Sequence, residues 1–126
     1  MKHKCILLID DEHDIHTIAE LGLTLESEWS VLSALSGEEG LDVAKTQHPD
    51  AILLDAMMPH QDGIATLEQL QTTPETRSIP VIFLTAKAQA ADRKKFYRSG
   101  ARGIITKPFN PMTLASQISS FLSWKT

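Results

Sequence analysis

The chain has 126 residues, enough for one domain with a buried core. Its apolar fraction of 42% is ordinary for a globular protein, and its net charge of −4 argues against direct nucleic-acid binding. The single cysteine, Cys5, excludes an internal disulfide. No apolar run approaches the roughly 20 residues of a membrane span. We therefore expect a cytoplasmic protein that does not insert into membranes.

Short apolar segments, separated by helix-like stretches, predict five strands. They lie at about Lys4–Ile9, Ser30–Ala34, Ala51–Leu54, Val81–Leu84 and Gly103–Thr106. Five successive βα units with right-handed crossovers predict a doubly wound α/β fold with a five-stranded parallel sheet. In the flavodoxin-like form of this fold, the strand order is 2-1-3-4-5 and the topological switch point lies between strands one and three.

Helix boundaries are indicated by capping residues. Ser36, with Glu39 three residues later, predicts a capping box at the start of the second helix. Gly100 predicts the end of the fourth helix, and Asn110 followed by Pro111 predicts the start of the last. Helical spacing predicts that the first helix has one apolar face, formed by Ile15, Ile18, Ala19, Gly22 and Leu25.

Four predicted strands end in a charged or reactive side chain. Asp10 and Asp11 follow the first strand, Asp55 the third, Thr85 the fourth and Lys107 the fifth. Ligands of open α/β sheets bind beyond the carboxyl ends of the strands, so we expect these side chains to meet at one rim. Three adjacent carboxylates repel one another, and a hard cation such as Mg²⁺ would relieve this. For Asp10 and Asp11 alone, a solvated acidic turn at a helix start remains an equal alternative.

This group of side chains is suited to phosphoryl transfer. The Asp55 carboxylate can act as a nucleophile toward phosphorus, while a metal ion neutralises the phosphoryl oxygens. Lys107 would add a compact positive charge, and Thr85 would donate a hydrogen bond. Taken singly, Thr85 is more often a strand-end residue and Lys107 a surface cation. Their coincidence at four strand ends favours the functional interpretation.

The chain resembles the receiver domains of bacterial two-component response regulators over essentially its whole length, 1–126. The matching segments are Ile9-Asp10-Asp11-Glu12, residues 55–63 (DAMMPHQDG), Leu84-Thr85-Ala86 and Ile105-Thr106-Lys107-Pro108-Phe109. The resemblance implies that Asp55 is the phospho-acceptor, with Thr85 as switch hydroxyl and Lys107 as phosphate-binding lysine. It implies Mg²⁺ ligands from Asp10, Asp11, Asp55 and the backbone carbonyl of Met57.

The resemblance also implies partners and one departure. The phosphoryl donor would be a sensor histidine kinase or a histidine phosphotransfer protein, and a downstream protein partner would bind one state of the domain. Lys107-Pro108 would be a cis peptide, and turnover as an enzyme is not expected. Receivers usually carry Tyr or Phe three residues before the lysine, where this chain has Ile104. We therefore expect a weaker or differently propagated conformational change.

Three other functions stay open. The first is a constitutive protein-interaction module with a weak or absent phospho-switch. The second is a haloacid-dehalogenase-like phosphatase, which would need an acid two residues after Asp55, where this chain has Met57. The third is flavodoxin-like FMN binding, which needs a donor-rich phosphate loop after strand one, where this chain is acidic.

Overall fold

The structure, a computed structural model, describes residues 3–59, 61–86 and 89–124. Its central sheet has five strands: β1 Cys5–Ile9, β2 Ser30–Ala34, β3 Ala51–Asp55, β4 Val81–Thr85 and β5 Gly103–Thr106. The helices are α1 His13–Ser27, α2 Gly37–Gln47, α3 Gly63–Thr72, α4 Ala90–Arg98 and α5 Leu114–Leu122. A 3₁₀ turn, Pro111–Thr113, precedes α5.

All neighbouring strands of this sheet are parallel, in the order β2-β1-β3-β4-β5. This order confirms the predicted flavodoxin-like fold. β1 lies between β2 and β3, so the order reverses beside it, as expected for a topological switch point. Ile9 lies opposite both Ala34 and Leu54, and Asp55 lies opposite Leu84. The carboxyl ends of β1, β3 and β4 therefore form one continuous rim.

The central strands are apolar throughout because helices cover both faces of the sheet. Leu54 and Phe83 pack on the face covered by α2, α3 and α4, while Leu8 and Leu53 pack on the face covered by α1 and α5. All four of these side chains are fully buried. Burying a Leu or Phe side chain stabilises a fold by roughly 1.5–3 kcal/mol, so this strand core anchors the loops at the rim.

Helix α1 departs from the predicted apolar face. Ala19 and Leu23 are fully buried against the sheet, and His16 is buried beside them. Ile18 and Leu25 do not belong to that face, since they are 40% and 70% exposed. A helix turns by about 100° per residue, so a shift of one position changes which side chains face the sheet. The side of α1 that faces the sheet is centred on Ala19 and Leu23 rather than on Ile18 and Leu25. The outward side carries a separate apolar row, here called the α1 stripe: Ile18, Leu21 and Leu25.

The capping predictions hold with two changes. Ser36 accepts a hydrogen bond from the Glu39 backbone N–H at 3.1 Å, but the Glu39 carboxylate accepts from Leu35 rather than from Ser36. Gly100 directly follows the Ser99 C-cap of α4 and has a positive φ of 111°, so it ends the helix as predicted. Asn110 accepts from the Met112 N–H at 2.9 Å, although the turn that it caps is 3₁₀ rather than α.

The amino ends of the strands form the opposite rim, which holds an aromatic pair. Trp29 precedes β2 and packs edge-on against Trp124, with ring centroids 5.7 Å apart. The Lys4 ammonium lies 4.5 Å above the Trp124 ring, a cation–π distance. The pair therefore closes the end of the core that is distant from the rim carboxylates. Within the described ranges, no helix is long and apolar enough to cross a membrane.

Candidate functional site

Four carboxylates meet at the carboxyl-end rim. Asp10, Asp11, Glu12 and Asp55 each place an oxygen within 4.8 Å of the others. Asp10 is fully buried and Asp55 is 4% exposed, so two of the four charges lie where water screens them poorly. The structure therefore brings Asp10, Asp11 and Asp55 together, and it adds Glu12. The sequence carried a signal for Glu12, the third acid in an unbroken run, although we did not assign it a role.

Asp10 is held by its neighbours on several sides. Its backbone N–H donates to Ala34 on β2 at 3.1 Å, and its Oδ1 accepts from the Glu12 N–H at 2.9 Å. Its Oδ2 lies 2.9 Å from the Lys107 ammonium. With Oδ1 engaged in the local turn, Oδ2 is the oxygen that faces the centre of the acidic group.

Asp55 ends β3 and is followed by a short hairpin that lies outside the five predicted strands. Its Oδ1 accepts from the Met57 N–H at 3.0 Å. Met57–Met58 then pairs antiparallel with Gln61–Asp62, where the side-chain carbonyl of Gln61 accepts from the Gly37 N–H at 2.8 Å. This bond ties the hairpin to the start of α2. The segment around Asp55 is thus held by β3 before it and by the Gln61–Gly37 hydrogen bond after it.

Lys107 is the cation that the structure places among these acids. Its ammonium lies 2.9 Å from Asp10, 3.2 Å from Glu12 and 3.5 Å from Asp55. Burial alone would lower the pKa of Lys107, but the hydrogen bond to Asp10 and the nearby carboxylates outweigh it, so this pKa is raised. Lys107 is therefore charged at every physiological pH. Its backbone N–H donates to Thr85 at 2.9 Å, and Lys107-Pro108 is the cis peptide that the resemblance implies.

The remaining assigned positions occupy different environments. Thr85, the last residue of β4, is 1% exposed, whereas the Met57 side chain is 55% exposed beside the acidic group. Ile104 lies on β5 opposite Phe83 and is 5% exposed, so an aliphatic side chain is packed where the family's aromatic residue would be. An altered conformational change caused by Ile104 stays a prediction.

Burial raises the pKa of Asp55 to about 6 from its ordinary 3.8. The Met57 N–H opposes this shift by stabilising the charged form, Asp10 adds to it by repulsion, and Lys107 opposes it by attraction. Near neutral pH the carboxylate is still mostly ionised. It is nevertheless held in a setting that disfavours its charge, which makes it ready to accept a cation or an electrophile.

This shift predicts a pH-dependent effect on stability. In EDTA, the folded state binds the Asp55 proton more tightly than the unfolded chain does. Protonation of Asp55 therefore stabilises the fold fully below pH 3.8, and this stabilisation is lost as the pH rises through about 6. We expect Asp55→Asn to raise the free energy of unfolding by about 1–3 kcal/mol at neutral pH and by much less at about pH 4. Urea titrations of both proteins across this range measure the difference. A difference that does not vary with pH would contradict the expectation.

The oxygen ligands fit a small divalent cation. Mg²⁺ binds through a few carboxylates, a backbone carbonyl and water, and it disfavours nitrogen and sulfur ligands. The four clustered carboxylates supply such oxygens, and Met57, whose backbone carbonyl the resemblance implies as a further ligand, lies two residues after Asp55. Asp10 and Asp55 are both buried, and each has one carboxylate oxygen held by a backbone N–H, so both are pre-oriented toward the cluster.

Comparison with known proteins identifies the family. The sequence model of the response regulator receiver domain matches residues 6–119. The chain belongs to the response regulator receiver family. This receiver domain is 37% identical over 120 residues to the alkaline phosphatase synthesis transcriptional regulatory protein PhoP of Bacillus subtilis, covering 95% of the chain and 49% of that protein. It is also 37% identical over 122 residues to the transcriptional regulatory protein YvrH of the same organism, covering 97% of the chain and 50% of that protein.

Solved structures agree with this assignment. The chemotaxis protein CheY4 of Vibrio cholerae superposes with a TM-score of 0.87 at 25% identity, covering 95% of this chain and 99% of that one. The Francisella response regulator 1452 receiver domain superposes with a TM-score of 0.84 at 27% identity, covering 96% of this chain and 98% of that one. The receiver domain therefore spans about half the length of the curated relatives above and nearly all of these solved chains.

Proposed function

We propose that residues 1–126 form a phosphorelay receiver whose acceptor is Asp55. In this proposal a histidine kinase or histidine phosphotransfer protein donates the phosphoryl group, and the modified domain changes its affinity for a downstream protein. The observation that supports it is the position of Asp55, a buried carboxylate at a strand end with Asp10 and Lys107 beside it. The module acts in signalling rather than in enzymatic turnover, and a cytoplasmic location remains a prediction.

In this proposal each residue at the rim has a separate role in phosphoryl transfer. An Asp55 carboxylate oxygen forms the new bond to phosphorus as the bond from phosphorus to the donor breaks, and the donor leaves with the bonding electrons. Asp10, Asp11, Asp55 and the Met57 carbonyl would hold Mg²⁺, which neutralises phosphoryl oxygens. The Lys107 ammonium would move from carboxylates to a phosphoryl oxygen, and the Thr85 hydroxyl would donate to another.

Labelling by acetyl phosphate tests this proposal directly. With Mg²⁺ present, intact mass spectrometry should detect one phosphoryl adduct on the protein, and EDTA should prevent it because the metal site would be empty. A folded protein that acquires no adduct at any Mg²⁺ concentration would contradict phosphoryl acceptance. That result would favour the alternative, a constitutive protein-interaction module.

The α1 stripe supports a protein donor. Ile18, Leu21 and Leu25 are 40%, 55% and 70% exposed on the helix that follows the acidic turn. Exposed apolar side chains in a row fit the apolar face of a partner helix. Met112, 59% exposed, lies in the 3₁₀ turn that packs on α1 at Gly22. A partner helix lying along the stripe would approach the rim from its Ile18 end, since α1 begins at His13 beside the acidic turn.

A charged substitution in the α1 stripe should slow labelling by protein donors but not labelling by small phosphoryl donors. Any histidine kinase that labels the unmodified protein should label Leu25→Glu more slowly, since the substitution introduces an acid into an apolar contact. Acetyl phosphate needs no such contact and should label both proteins at the same rate. Equal rates with the kinase would exclude Leu25 from the donor surface.

A further inference from the structure

His16 lies beneath the acidic turn, in the first part of α1. Its side chain is buried, with only 8% exposure, and both ring nitrogens have partners. Nε2 lies 2.7 Å from the backbone carbonyl oxygen of Asp10, and Nδ1 lies 3.0 Å from the Ser33 hydroxyl on β2. One imidazole thus connects α1, the end of β1 and β2 at the base of the carboxylate cluster.

The Asp10 partner defines one hydrogen position on the ring. A carbonyl oxygen can only accept, so Nε2 carries a hydrogen and donates to Asp10. The Ser33 hydroxyl can both donate and accept, so it pairs with Nδ1 whichever atom carries the hydrogen. Each contact is directional, so Ser33 sets the orientation of the ring and the ring sets the orientation of the carbonyl.

The bonded carbonyl belongs to the peptide unit that joins Asp10 to Asp11. A peptide unit is planar, so a bond that fixes its carbonyl oxygen restrains ψ of Asp10 and φ of Asp11 together, and these two dihedrals shape the turn that carries both acids. The Glu12 N–H separately holds the Asp10 side chain through Oδ1. The His16 bond is the contact that acts on the peptide between the two acids.

We propose that His16 is a positioning residue for the cation site, acting through the Asp10–Asp11 peptide rather than by touching the ion. This inference rests on the proposed function, since it concerns the Mg²⁺ that would bind there. Side chains that orient metal ligands typically change metal affinity by 10–100-fold when replaced.

Two amide substitutions separate the bond to Asp10 from the bond to Ser33. The terminal amide of Gln lies near the position of Nε2 in His, whereas that of Asn lies near the position of Nδ1. His16→Gln keeps a donor for the Asp10 carbonyl, and His16→Asn keeps only a partner for Ser33. Both variants bury one amide, so a general packing effect would be similar in the two.

Calorimetric Mg²⁺ titration of the full chain is the primary measurement. We expect His16→Asn to weaken Mg²⁺ binding by about 10-fold or more and His16→Gln to retain most of the affinity. In acetyl phosphate labelling, His16→Asn should need more Mg²⁺ for half-maximal rate while reaching a similar rate at saturation. Thr24→Val is the control, because Thr24 donates to Glu20 on the same helix, far from Asp10.

Each outcome decides the inference. Unchanged affinity in His16→Asn, or an equal loss in His16→Asn and His16→Gln, would overturn a positioning role through Asp10. If His16→Asn does not fold, Ser33→Ala replaces it: freeing Nδ1 should lower Mg²⁺ affinity, and an unchanged affinity would overturn the inference. An unmodified protein that binds no Mg²⁺ would overturn the proposed function and this inference together. An unmodified protein that binds Mg²⁺ and is labelled, beside insensitive His16 variants, would overturn this inference alone.

Discussion

Asp55→Asn is expected to eliminate the phosphoryl adduct that acetyl phosphate and Mg²⁺ form on the unmodified protein. The amide is a poor nucleophile toward phosphorus, and of the four clustered carboxylates Asp55 is the one that ends β3. Asp10 is an alternative acceptor, but it is fully buried and lies closer to the Lys107 ammonium than Asp55 does, at 2.9 Å against 3.5 Å. Intact mass after labelling should therefore show an unmodified chain.

The control for this experiment is Asp62→Asn. Asp62 lies in the hairpin after Asp55, and its carboxylate caps α3 by accepting from the Ile64 N–H at 3.0 Å. Asn caps helices as well as Asp, so the fold should be retained. This variant should accept phosphate normally. An adduct that persists in Asp55→Asn would move the acceptor to another residue, which peptide mapping would identify.

Lys107→Met should destabilise the metal-free protein by about 2–4 kcal/mol, because it leaves buried acids without their cation. Asp10 and Asp55 are both almost fully buried, and the Lys107 side chain that pairs with them is only 13% exposed. Saturating Mg²⁺ should restore much of this loss, since an ion bound at the proposed site would favour the folded state and neutralise the same carboxylates. Urea unfolding in EDTA and in Mg²⁺ measures both effects.

Lys45→Met, at an exposed position on α2, is the matched control and should change the free energy of unfolding little. The comparison distinguishes loss of a buried ion pair from loss of one surface charge. Equal stability of Lys107→Met and the unmodified protein in EDTA would mean that the rim acids are hydrated enough to need no counter-ion.

The strand ends were the part of the site that could be predicted from sequence. Period and composition located β1, β3 and β5, and a parallel sheet carries the residues at the ends of those strands to one rim. This argument placed Asp55, Asp10 and Lys107 in one region before any distance was known. It depends on the backbone alone, which is why it succeeded for these residues.

The side of a helix that faces the sheet, and the pairing of very short strands, were not predictable in the same way. The apolar residues of α1 form two rows, and the sequence does not say which row faces the sheet; Ile18 and Leu25 were therefore assigned to the wrong side. The hairpin after Asp55 depends on two-residue strands, which are too short to show a period. The contacts of His16 depend on Ser33, a partner 17 residues away.

The tryptophan pair at the opposite rim has a practical consequence for optical work on this domain. Trp29 and Trp124 pack together at the amino ends of the strands, and five-residue strands place them about 15 Å or more from the carboxylates. Their intrinsic fluorescence should change when the domain unfolds and should change little when a cation or phosphoryl group binds at the rim. A reporter dye or an introduced fluorophore near Met57 would be required to observe site occupancy in real time.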